Sequence, residues 1–425
     1  MTIDAHGHTT LRLQGSFYLD RVIALRPVRE PVVFGELEDG SAATVLGAHH
    51  DLANTLGQEY FGIFAMFGAH ITPSELIDEV TFTATQLDNF LQAPAGVACD
   101  SRPLGARWTG SFRDVTVTFA VVRSDETALA DDVPRSCVTL SVVGDWNTAW
   151  EIATKLSVLL TLLAGASSAI DDVKLRVRGV PVRVVAAMRT TASGRAPDRG
   201  PTSLISTFDD IPDLVTLVAR FDEFELAMRQ ALNPFLGYLN NPGDISVSAA
   251  QIAQALESYH RDRRDSSGKH RFEQTSIGKK RFAEIKGALA LTMEREFPDY
   301  AWMLDQLRDD RPLRSRICDL YREHREFLDL ITDEPSLARD ATKNRNFFSH
   351  GNSGALTPEK VRSIFWSGER LRFLFYALFL VELGFSRDDA HQLLRRNDRF
   401  LRLQTLWHSS REPVIAGAPA GGDSV

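Results

Sequence analysis

The sequence predicts an α+β protein in which an N-terminal β-rich domain is followed by a C-terminal all-α helical bundle. Three observations predict this fold class. Apolar residues alternate with mostly polar ones from Val115 to Val121, which is the period of a strand. Beyond position 205 apolar residues recur every three or four positions, which is the period of an amphipathic helix. Between the two regions lies TASGRAPDRGPTS at 191–203, whose Gly and Pro residues disfavour regular structure.

These signals predict three parts of the chain. We expect a β-rich domain at 1–204, a helical domain at 205–410 and a flexible tail of small and polar residues at 411–425. A length of 425 residues agrees with more than one domain, because a typical domain has about 150 residues.

The predicted strands of the N-terminal domain are short segments rich in β-branched and aromatic residues. They lie in LRLQGSFYL, PVVFGEL, ATVLGA, EVTFTATQL, DVTVTFAVV and SCVTLSVV. Asp145 then precedes a helical stretch that reaches Leu163. A last strand pair follows in VKLRVRGVPVRVVAA, with Gly179 and Pro181 at its turn. We therefore expect a sheet with one or two helices.

The predicted helices of the C-terminal domain carry apolar residues on one face and are typical of a bundle. One such face holds Phe282, Ile285, Leu289 and Met293, and a second holds Leu313, Ile317, Leu320, Tyr321, His324, Leu328 and Ile331. The stretch from Val361 to Leu383 has the most apolar character, and Thr357 and Pro358 supply an N-cap and a first helical residue in front of it. This stretch is predicted to be the central, most buried helix.

Composition excludes several classes of protein. The net charge of -8 argues against a surface covered with positive charge, so contact with a polyanion would need a local basic patch. The apolar runs fall short of the ~20 residues that span a bilayer. The opening MTIDAHGHTT has neither the basic nor the apolar part of a secretory signal, so we expect a cytoplasmic protein. Phosphate-binding glycine motifs and clustered metal ligands are missing from the sequence, so no cofactor or metal is expected.

The string Arg345-Asn346-Phe347-Phe348-Ser349-His350 is the candidate for chemistry. On a continuous helix Arg345 and His350 would lie some 140° apart, so we expect the helix to end near Gly351 and His350 to lie in its last frayed turn. An arginine binds a phosphate bidentately, and a histidine transfers protons near neutral pH. Together the two side chains suit metal-free cleavage of RNA, with the 2′-hydroxyl as the nucleophile.

A purely structural role is the alternative. Arg345 would then pair with Asp340 or with another acid of the bundle, and His350 would satisfy carbonyl groups at the helix end. The two interpretations differ in whether both side chains, from one or two subunits, converge on a solvent-open cleft.

The string resembles the R-N-x-x-x-H signature of HEPN domains, and it precedes the last long helix of the predicted bundle as in that family. The N-terminal strings LRLQGSFYL, PVVFGELEDG and DEVTFTATQLDNFL are similar to the opening strands of ApeA-type proteins. The resemblance implies a HEPN-like bundle behind an ApeA-like sensing or regulatory domain. It further implies a metal-independent endoribonuclease toxin of a bacterial abortive-infection, anti-phage system, which works as a homodimer and responds to a phage-derived trigger. Arg345 and His350 would be its catalytic pair, and Asn346 would orient Arg345 or the phosphate.

A second feature is a basic run whose positive charges outnumber the acidic ones. It consists of Arg261, Arg263, Arg264, Lys269, Arg271, Lys279, Lys280 and Arg281. Such a run could follow the backbone of an RNA. The alternative is a solvated loop between two helices. Transfer RNA enters as a candidate substrate only through the resemblance, because members of the broader class cleave it, and no residue of this sequence selects a substrate.

The functional prediction is therefore a HEPN endoribonuclease of a phage-defence system that binds RNA and no membrane. The alternative is a non-catalytic HEPN-like module for dimerisation or binding.

Overall fold

A computed structural model describes residues 2–3, 9–13, 29–37, 39–54, 57–62, 64–91, 105–113, 115–122, 135–141, 144–186, 203–240, 245–349 and 357–411. For some of these residues, among them 347–349, only the backbone is described. The chain divides into two compact units, Met1–Asp222 and Glu223–Val425. The division falls within one long helix, C-terminal to position 204, where the sequence predicts the end of the β-rich domain. The tail predicted at 411–425 lies outside the described residues, apart from the backbone of Arg411.

The first unit is built on one antiparallel sheet, which has twelve strands within the described ranges. The strands are β1 (Thr2–Ile3), β2 (Thr9–Leu13), β3 (Arg29–Glu36), β4 (Ala42–Asn54), β5 (Gly57–Gly62), β6 (Phe64–Phe67), β7 (Glu79–Ala84), β8 (Gly105–Phe112), β9 (Val115–Val122), β10 (Arg135–Ser141), β11 (Ile170–Val177) and β12 (Val180–Ala186). Their order across the sheet is β1-β2-β5-β4-β6-β12-β11-β7-β10-β9-β8, and β3 pairs with β4 outside this path.

The strand pattern in the sequence corresponds to the buried face of this sheet. Val115, Val117, Phe119 and Val121 are all buried in β9. Two helices accompany the sheet, α1 (Leu87–Phe90) and α2 (Trp146–Ala164). Asp145 caps α2, because its side chain accepts a hydrogen bond of 2.9 Å from the backbone N–H of Thr148. The β-rich N-terminal part of the predicted fold class is confirmed.

The second unit is helical, and its first helix begins in the first unit. The helices are α3 (Leu214–Asn240), α4 (Ile245–Asp262), α5 (Lys279–Glu296), α6 (Met303–Gln306), α7 (Leu313–Glu323), α8 (Arg325–Leu328), α9 (Glu334–Ser349), α10 (Pro358–Glu382), α11 (Arg387–Arg395) and α12 (Asp398–Arg411). Short 3-10 turns lie at Phe208–Asp210 and Pro298–Tyr300. The α+β class, with a sheet followed by a helical region, is therefore confirmed.

Helix α10 is the central helix of the bundle, as the sequence predicts. Thr357 caps it through a hydrogen bond of 3.3 Å from the N–H of Lys360, and Pro358 is its first residue. The apolar side chains of Phe373, Tyr376 and Leu380 on α10 would suit either a subunit interface or the core of the bundle. All three are fully buried. They therefore belong to the core. Helix α4 packs against α7, α9 and α10, and α9 also packs against α7 and α10.

Helix α5 corrects one expectation. The sequence predicts that Phe282, Ile285, Leu289 and Met293 form the buried face of a bundle helix. The helix is present, but none of its residues is buried, and Ile285 and Leu289 are 39% and 43% exposed. It packs instead against the 3-10 turn at Pro298–Tyr300 and against α6, which directly follow it. An apolar periodicity identifies one side of a helix but carries no information about what covers that side.

Among the described helices, none combines the length and the apolar character that crossing a bilayer requires.

Candidate active site

Helix α9 carries the candidate motif, and its packing determines where Arg345 lies. The carboxylate of Asp333 accepts a hydrogen bond of 2.8 Å from the N–H of Ser336 and so caps the start of the helix. Leu337, Ala338 and Ala341 are buried against the neighbouring helices. Arg345 follows Ala341 by four positions and is itself exposed, so it stands at the edge of the buried face.

The Arg345 side chain reaches an acid on a neighbouring helix. Its guanidinium lies 3.8 Å from the Oε2 of Glu257 on α4, and the two side chains are 44% and 29% exposed. The structural alternative predicts a pair with Asp340 or another bundle acid, and Glu257 is such an acid. Asp340 pairs instead with Arg339, at 3.3 Å. At 3.8 Å the Arg345–Glu257 contact is too long for a hydrogen bond. Glu257 therefore leaves N–H groups of the guanidinium available to donate to another acceptor.

Glu257 is a further functional candidate, because it interacts with three arginines. It was not identified from the sequence. Besides contacting Arg345, its charge adds to the hydrogen bond of Asp262 in raising the pKa of Arg261. Burial lowers the pKa of Arg316 on α7, and Glu257 opposes this effect. The spacing of Glu257 and Arg261, four residues apart, was a signal in the sequence for an acid and a base on one side of a helix.

The other residues of the motif are only partly described. The Asn346 side chain is exposed on α9 and makes no hydrogen bond with another described residue. Helix α9 is continuous from Glu334 to Ser349, and the helix end predicted near Gly351 lies outside the described residues. His350 and Gly351 lie outside the described residues, and the pairing of His350 with Arg345 stays a prediction.

The basic run begins on α4 and is partly committed to ion pairs within the bundle. Arg263 lies 2.6 Å from Glu382 of α10, and Arg271 lies 2.7 Å from Glu323 of α7. Arg261 pairs with its neighbour Asp262 at 3.0 Å and remains 49% exposed. Among the eight residues of the basic run, Arg261 is therefore the one that shares an acidic neighbour, Glu257, with Arg345.

The remaining members of the run lie away from these ion pairs. A tight turn places Arg264 opposite His270, and the Asp265 carboxylate fixes this turn by accepting from the N–H groups of Ser267 and Lys269 at 2.8 and 3.1 Å. Lys279, Lys280 and Arg281 open helix α5, and Arg281 pairs with Glu284 at 3.1 Å. Lys269, Lys279 and Lys280 form no ion pair with any described residue. The connection between α4 and α5 is thus an ordered turn.

Beneath the run, His260 joins α4 to α7. Its ring is fully buried, its Nε2 lies 3.1 Å from the Asp319 Oδ2, and its Nδ1 lies 3.1 Å from the Arg316 Nη1. Because arginine can only donate, Nδ1 accepts, and Nε2 carries the proton that Asp319 accepts. Burial lowers the pKa of His260 to about 4, and the bond to Asp319 only partly opposes this effect. His260 is therefore a neutral structural residue.

No three His, Cys, Asp or Glu side chains are grouped as metal ligands in the part of the chain that the structure describes. Two of the three cysteines are described, and both Cys137 and Cys318 are free thiols.

The helical unit thus carries the Arg345–His350 string directly before α10 in the chain. Residues 250–389 match the family described as Apea-like HEPN, and this range includes Glu257, Arg345 and His350. This part of the chain is an Apea-like HEPN domain, and with the β-rich N-terminal region it gives the chain an ApeA-type architecture. HEPN domains are generally nucleases that commonly bind RNA and form dimers, and the match supports membership of the HEPN/ApeA anti-phage family. No curated protein and no solved structure gives a significant match.

Proposed function

We propose that this protein is a metal-independent endoribonuclease of an abortive-infection, anti-phage system. Arg345 binds the scissile phosphate, His350 transfers protons, and Asn346 orients Arg345 or the phosphate. The β-rich domain senses a phage-derived trigger. The substrate class is RNA, with transfer RNA as one candidate.

The reaction is an internal transesterification. The ribose 2′-oxygen forms a bond to phosphorus while the bond from phosphorus to the 5′-oxygen of the next nucleotide breaks. The proton of the 2′-hydroxyl passes to the neutral imidazole of His350, and the departing 5′-oxygen takes up a proton from an imidazolium or from water. The products are a 2′,3′-cyclic phosphate and a 5′-hydroxyl end. The Arg345 guanidinium stabilises the negative charge that gathers on the phosphate oxygens, so no metal is needed for this step.

One observation carries this proposal. Within an Apea-like HEPN domain, the Arg345 side chain is held at the surface where α4 meets α9, and its acidic neighbour is too distant to occupy its donors. An arginine retained only for the bundle would be expected to make a close, bidentate pair with its acid.

RNA contact by the basic run is the second part of the proposal. Arg261 supports it best, because its partly exposed guanidinium shares the neighbourhood of Glu257 with Arg345. The contact along the phosphates is extended by Arg264, Lys269, Lys279 and Lys280. Arg263 and Arg271 contribute less positive charge to this contact, because each has a close acidic partner.

The test is cleavage of total RNA by the purified protein and by its Arg345→Ala and His350→Ala variants. We expect each substitution to lower the cleavage rate by ~10²-fold or more, because the phosphate anchor or the proton carrier is lost. The products of the wild type should carry cyclic phosphate ends, and EDTA should not reduce cleavage.

Arg339→Ala is the matched control, since Arg339 is another exposed arginine of α9. Its described partners are the adjacent Asp340 and the Ser336 hydroxyl, both on its own helix. This control variant should cleave like the wild type. Circular dichroism should show native helix content in each variant, so that a loss of cleavage is not a loss of folding. Unchanged cleavage by Arg345→Ala or His350→Ala would overturn the site.

A non-catalytic module is the second candidate, and the Arg345–Glu257 ion pair favours it. In that case no RNA cleavage would be detected in the wild type, and Arg345→Ala would lower the stability of the helical unit.

A further inference from the structure

Residues 297–307 form a surface segment, here called the aromatic segment, that the described part of the bundle leaves uncovered. It contains the 3-10 turn at Pro298–Tyr300 and helix α6, and no residue of these two elements is buried. Its large apolar side chains are exposed to an unusual degree, with Trp302 at 61%, Tyr300 at 55%, Phe297 at 51% and Met303 at 48%. Exposed apolar clusters of this kind mark interaction surfaces.

The backbone of the aromatic segment is one short helix with 3-10 geometry. Ala301 and Trp302 connect the 3-10 turn to α6, and their φ and ψ angles of -56° and -28°, and of -57° and -24°, are right-handed helical. The N–H groups donate to carbonyls three residues earlier, from Ala301 to Pro298 at 3.2 Å and from Asp305 to Trp302 at 3.1 Å. In a 3-10 helix, side chains three positions apart lie directly above each other. The side chains of the segment therefore form three stripes.

Two of the three stripes are exposed, and the third is half-buried. Ala301 and Leu304 are half-buried, so their stripe is the one that faces α5, against which the segment packs. The first exposed stripe consists of Asp299, Trp302 and Asp305, and the second consists of Tyr300, Met303 and Gln306. An indole ring thus lies between two carboxylates, one turn away on either side, next to a mostly apolar stripe.

The negative charge of the aromatic segment is not neutralised within the chain as described. The segment contains two acidic residues, Asp299 and Asp305, and no basic residue. Within the described ranges, no basic side chain pairs with either carboxylate. The guanidinium of Arg308, which follows the segment, donates to the backbone carbonyls of Asp305 and Leu307 instead. Both carboxylates are therefore available to a partner.

We propose that the aromatic segment docks a basic, amphipathic segment of another protein. An arginine or lysine of the partner stacks on the indole of Trp302 and pairs with Asp299 and Asp305, and apolar side chains of the partner cover Tyr300 and Met303. Stacking of a cation on an aromatic ring and pairing with carboxylates both require a positively charged partner. The two kinds of side chain in the first stripe thus select the same chemistry.

The C-terminal end of the aromatic segment is held in place by hydrogen bonds. The Asp309 carboxylate accepts from the N–H groups of Ser276 and Ile277, both at 3.0 Å, and the N–H of Arg311 donates to the carbonyl of Gln274 at 3.0 Å. Because the segment is already ordered, less conformational entropy is lost when a partner binds it.

Other occupants fit the aromatic segment less well. A second copy placed face to face would bring two pairs of carboxylates together. The rings of Tyr300 and Trp302 could stack on the bases of an RNA, but Asp299 and Asp305 would repel its phosphates, and they would also repel an anionic lipid surface. The docking does not depend on RNA cleavage, since the segment contains no residue of the Arg345 motif or of the basic run.

The test is binding of a labelled synthetic helical peptide of arginine, leucine and alanine to the full chain, measured by fluorescence anisotropy. We expect Asp299→Asn/Asp305→Asn to weaken binding by about fivefold, because two ion pairs are lost while the shape is kept. Trp302→Ala should weaken it by about fivefold or more, because the stacking surface is lost. A peptide with glutamate in place of arginine should not bind, and one with alanine in place of leucine should bind less tightly.

The matched controls change the same kinds of side chain elsewhere. Glu326→Gln/Glu359→Gln removes two exposed carboxylates from α8 and α10, and Phe365→Ala removes a ring of α10 that is 43% exposed. Both should bind the peptide like the wild type. Equal binding by the wild type and the Trp302→Ala or Asp299→Asn/Asp305→Asn variants would overturn the proposal, and so would controls that weaken binding as much.

The same variants distinguish the other occupants. Labelled RNA and vesicles that contain phosphatidylserine are titrated with protein that carries His350→Ala, and the mass of the chain is measured by sedimentation. Trp302→Ala should change none of these three measurements. A loss of RNA binding, of vesicle binding or of self-association in Trp302→Ala would assign the aromatic segment to that occupant and overturn docking of a basic protein segment.

Discussion

Glu257 competes for Arg345 with the phosphate that the proposed function requires. The carboxylate lies 3.8 Å from the guanidinium and also acts on Arg261. It therefore lowers the positive potential at the position where the scissile phosphate would bind. Pairs of partly exposed charges contribute about 0.2–1 kcal/mol, which limits the effect to a few-fold change in affinity.

We expect Glu257→Gln to tighten RNA binding by about two- to fivefold, because the amide removes the negative charge and keeps the shape. Binding is best measured by titration of labelled RNA with protein that also carries His350→Ala, so that no substrate is consumed. Asp340→Asn removes one carboxylate from α9 and is the control, since Asp340 pairs with Arg339. Weaker binding by Glu257→Gln would mean that Glu257 positions Arg345 instead of masking it.

The residues of this site could be predicted only in part. The spacing of Arg345 and His350, with Asn346 between them, indicates the site because it is a property of one short segment. Glu257 lies far away in the chain, and nothing local in the sequence indicates which acid of α4 faces α9. That choice depends on how the two helices pack, which is a property of the folded unit. His350 itself lies outside the described residues, so its position stays a prediction.

At the scale of helices, buried neutral histidines join elements of the bundle. His260 links α4 to α7, and the Nδ1 of His324, which lies between α7 and α8, is 3.0 Å from the Nε2 of His391 on α11. Burial lowers the pKa of His324 to about 3 and that of His391 to about 4. Protonation of any of the three would place a charge in the core, so the native state excludes these protons.

The sign of the resulting pH dependence follows from linkage. His260 has a pKa of about 4 in the native state and 6.5 as its ordinary value. Above pH 6.5 both the folded and the unfolded chain hold it neutral. As the pH falls from 6.5 towards 4, only the unfolded chain takes up the proton, so stability is lost over this range. By pH 5 the loss from His260 is about 2 kcal/mol.

As the pH is lowered from 7 to 5, we expect the free energy of unfolding to fall less steeply in His260→Gln than in the wild type. Glutamine can donate to Asp319 and accept from Arg316 without titrating. Denaturant titrations at pH 7 and pH 5, followed by helical circular dichroism, measure the difference. His408→Gln replaces an exposed histidine of α12 and should keep the wild-type dependence. Equal pH dependence in wild type and His260→Gln would contradict the linkage.

Elements with local signals were predictable, and elements that depend on a partner were not. Alternation identified β9, and the caps Asp145 and Thr357 identified the starts of α2 and α10. Helices α5 and α7 carry the same kind of apolar periodicity, yet Ile317 and Leu320 of α7 are buried, whereas Ile285 and Leu289 of α5 are exposed. The sequence pattern indicates that one face of a helix is apolar. Whether other elements of the same chain bury that face depends on the fold.

At the scale of the whole molecule, charge is the main obstacle to RNA binding. The net charge is -8, and the arginines around the candidate site are opposed by Glu257 and Asp262. One copy therefore presents a weak local excess of positive charge. A homodimer that brings two 345–350 segments near its axis would double the number of guanidiniums acting on one phosphate. For this reason we propose that the dimer is the active form.

If two copies share the site, inactive subunits will poison active ones. We expect cleavage per wild-type chain to fall as Arg345→Ala protein is added and subunits exchange, because a hybrid dimer contributes one Arg345 where the wild type contributes two. RNA is kept in large excess, so that competition for substrate cannot lower the rate, and an unrelated inert protein at equal mass is the control. A site complete within each chain would keep a constant rate per wild-type chain at every mixing ratio, and that result would show that the chemistry at Arg345 does not require a dimer.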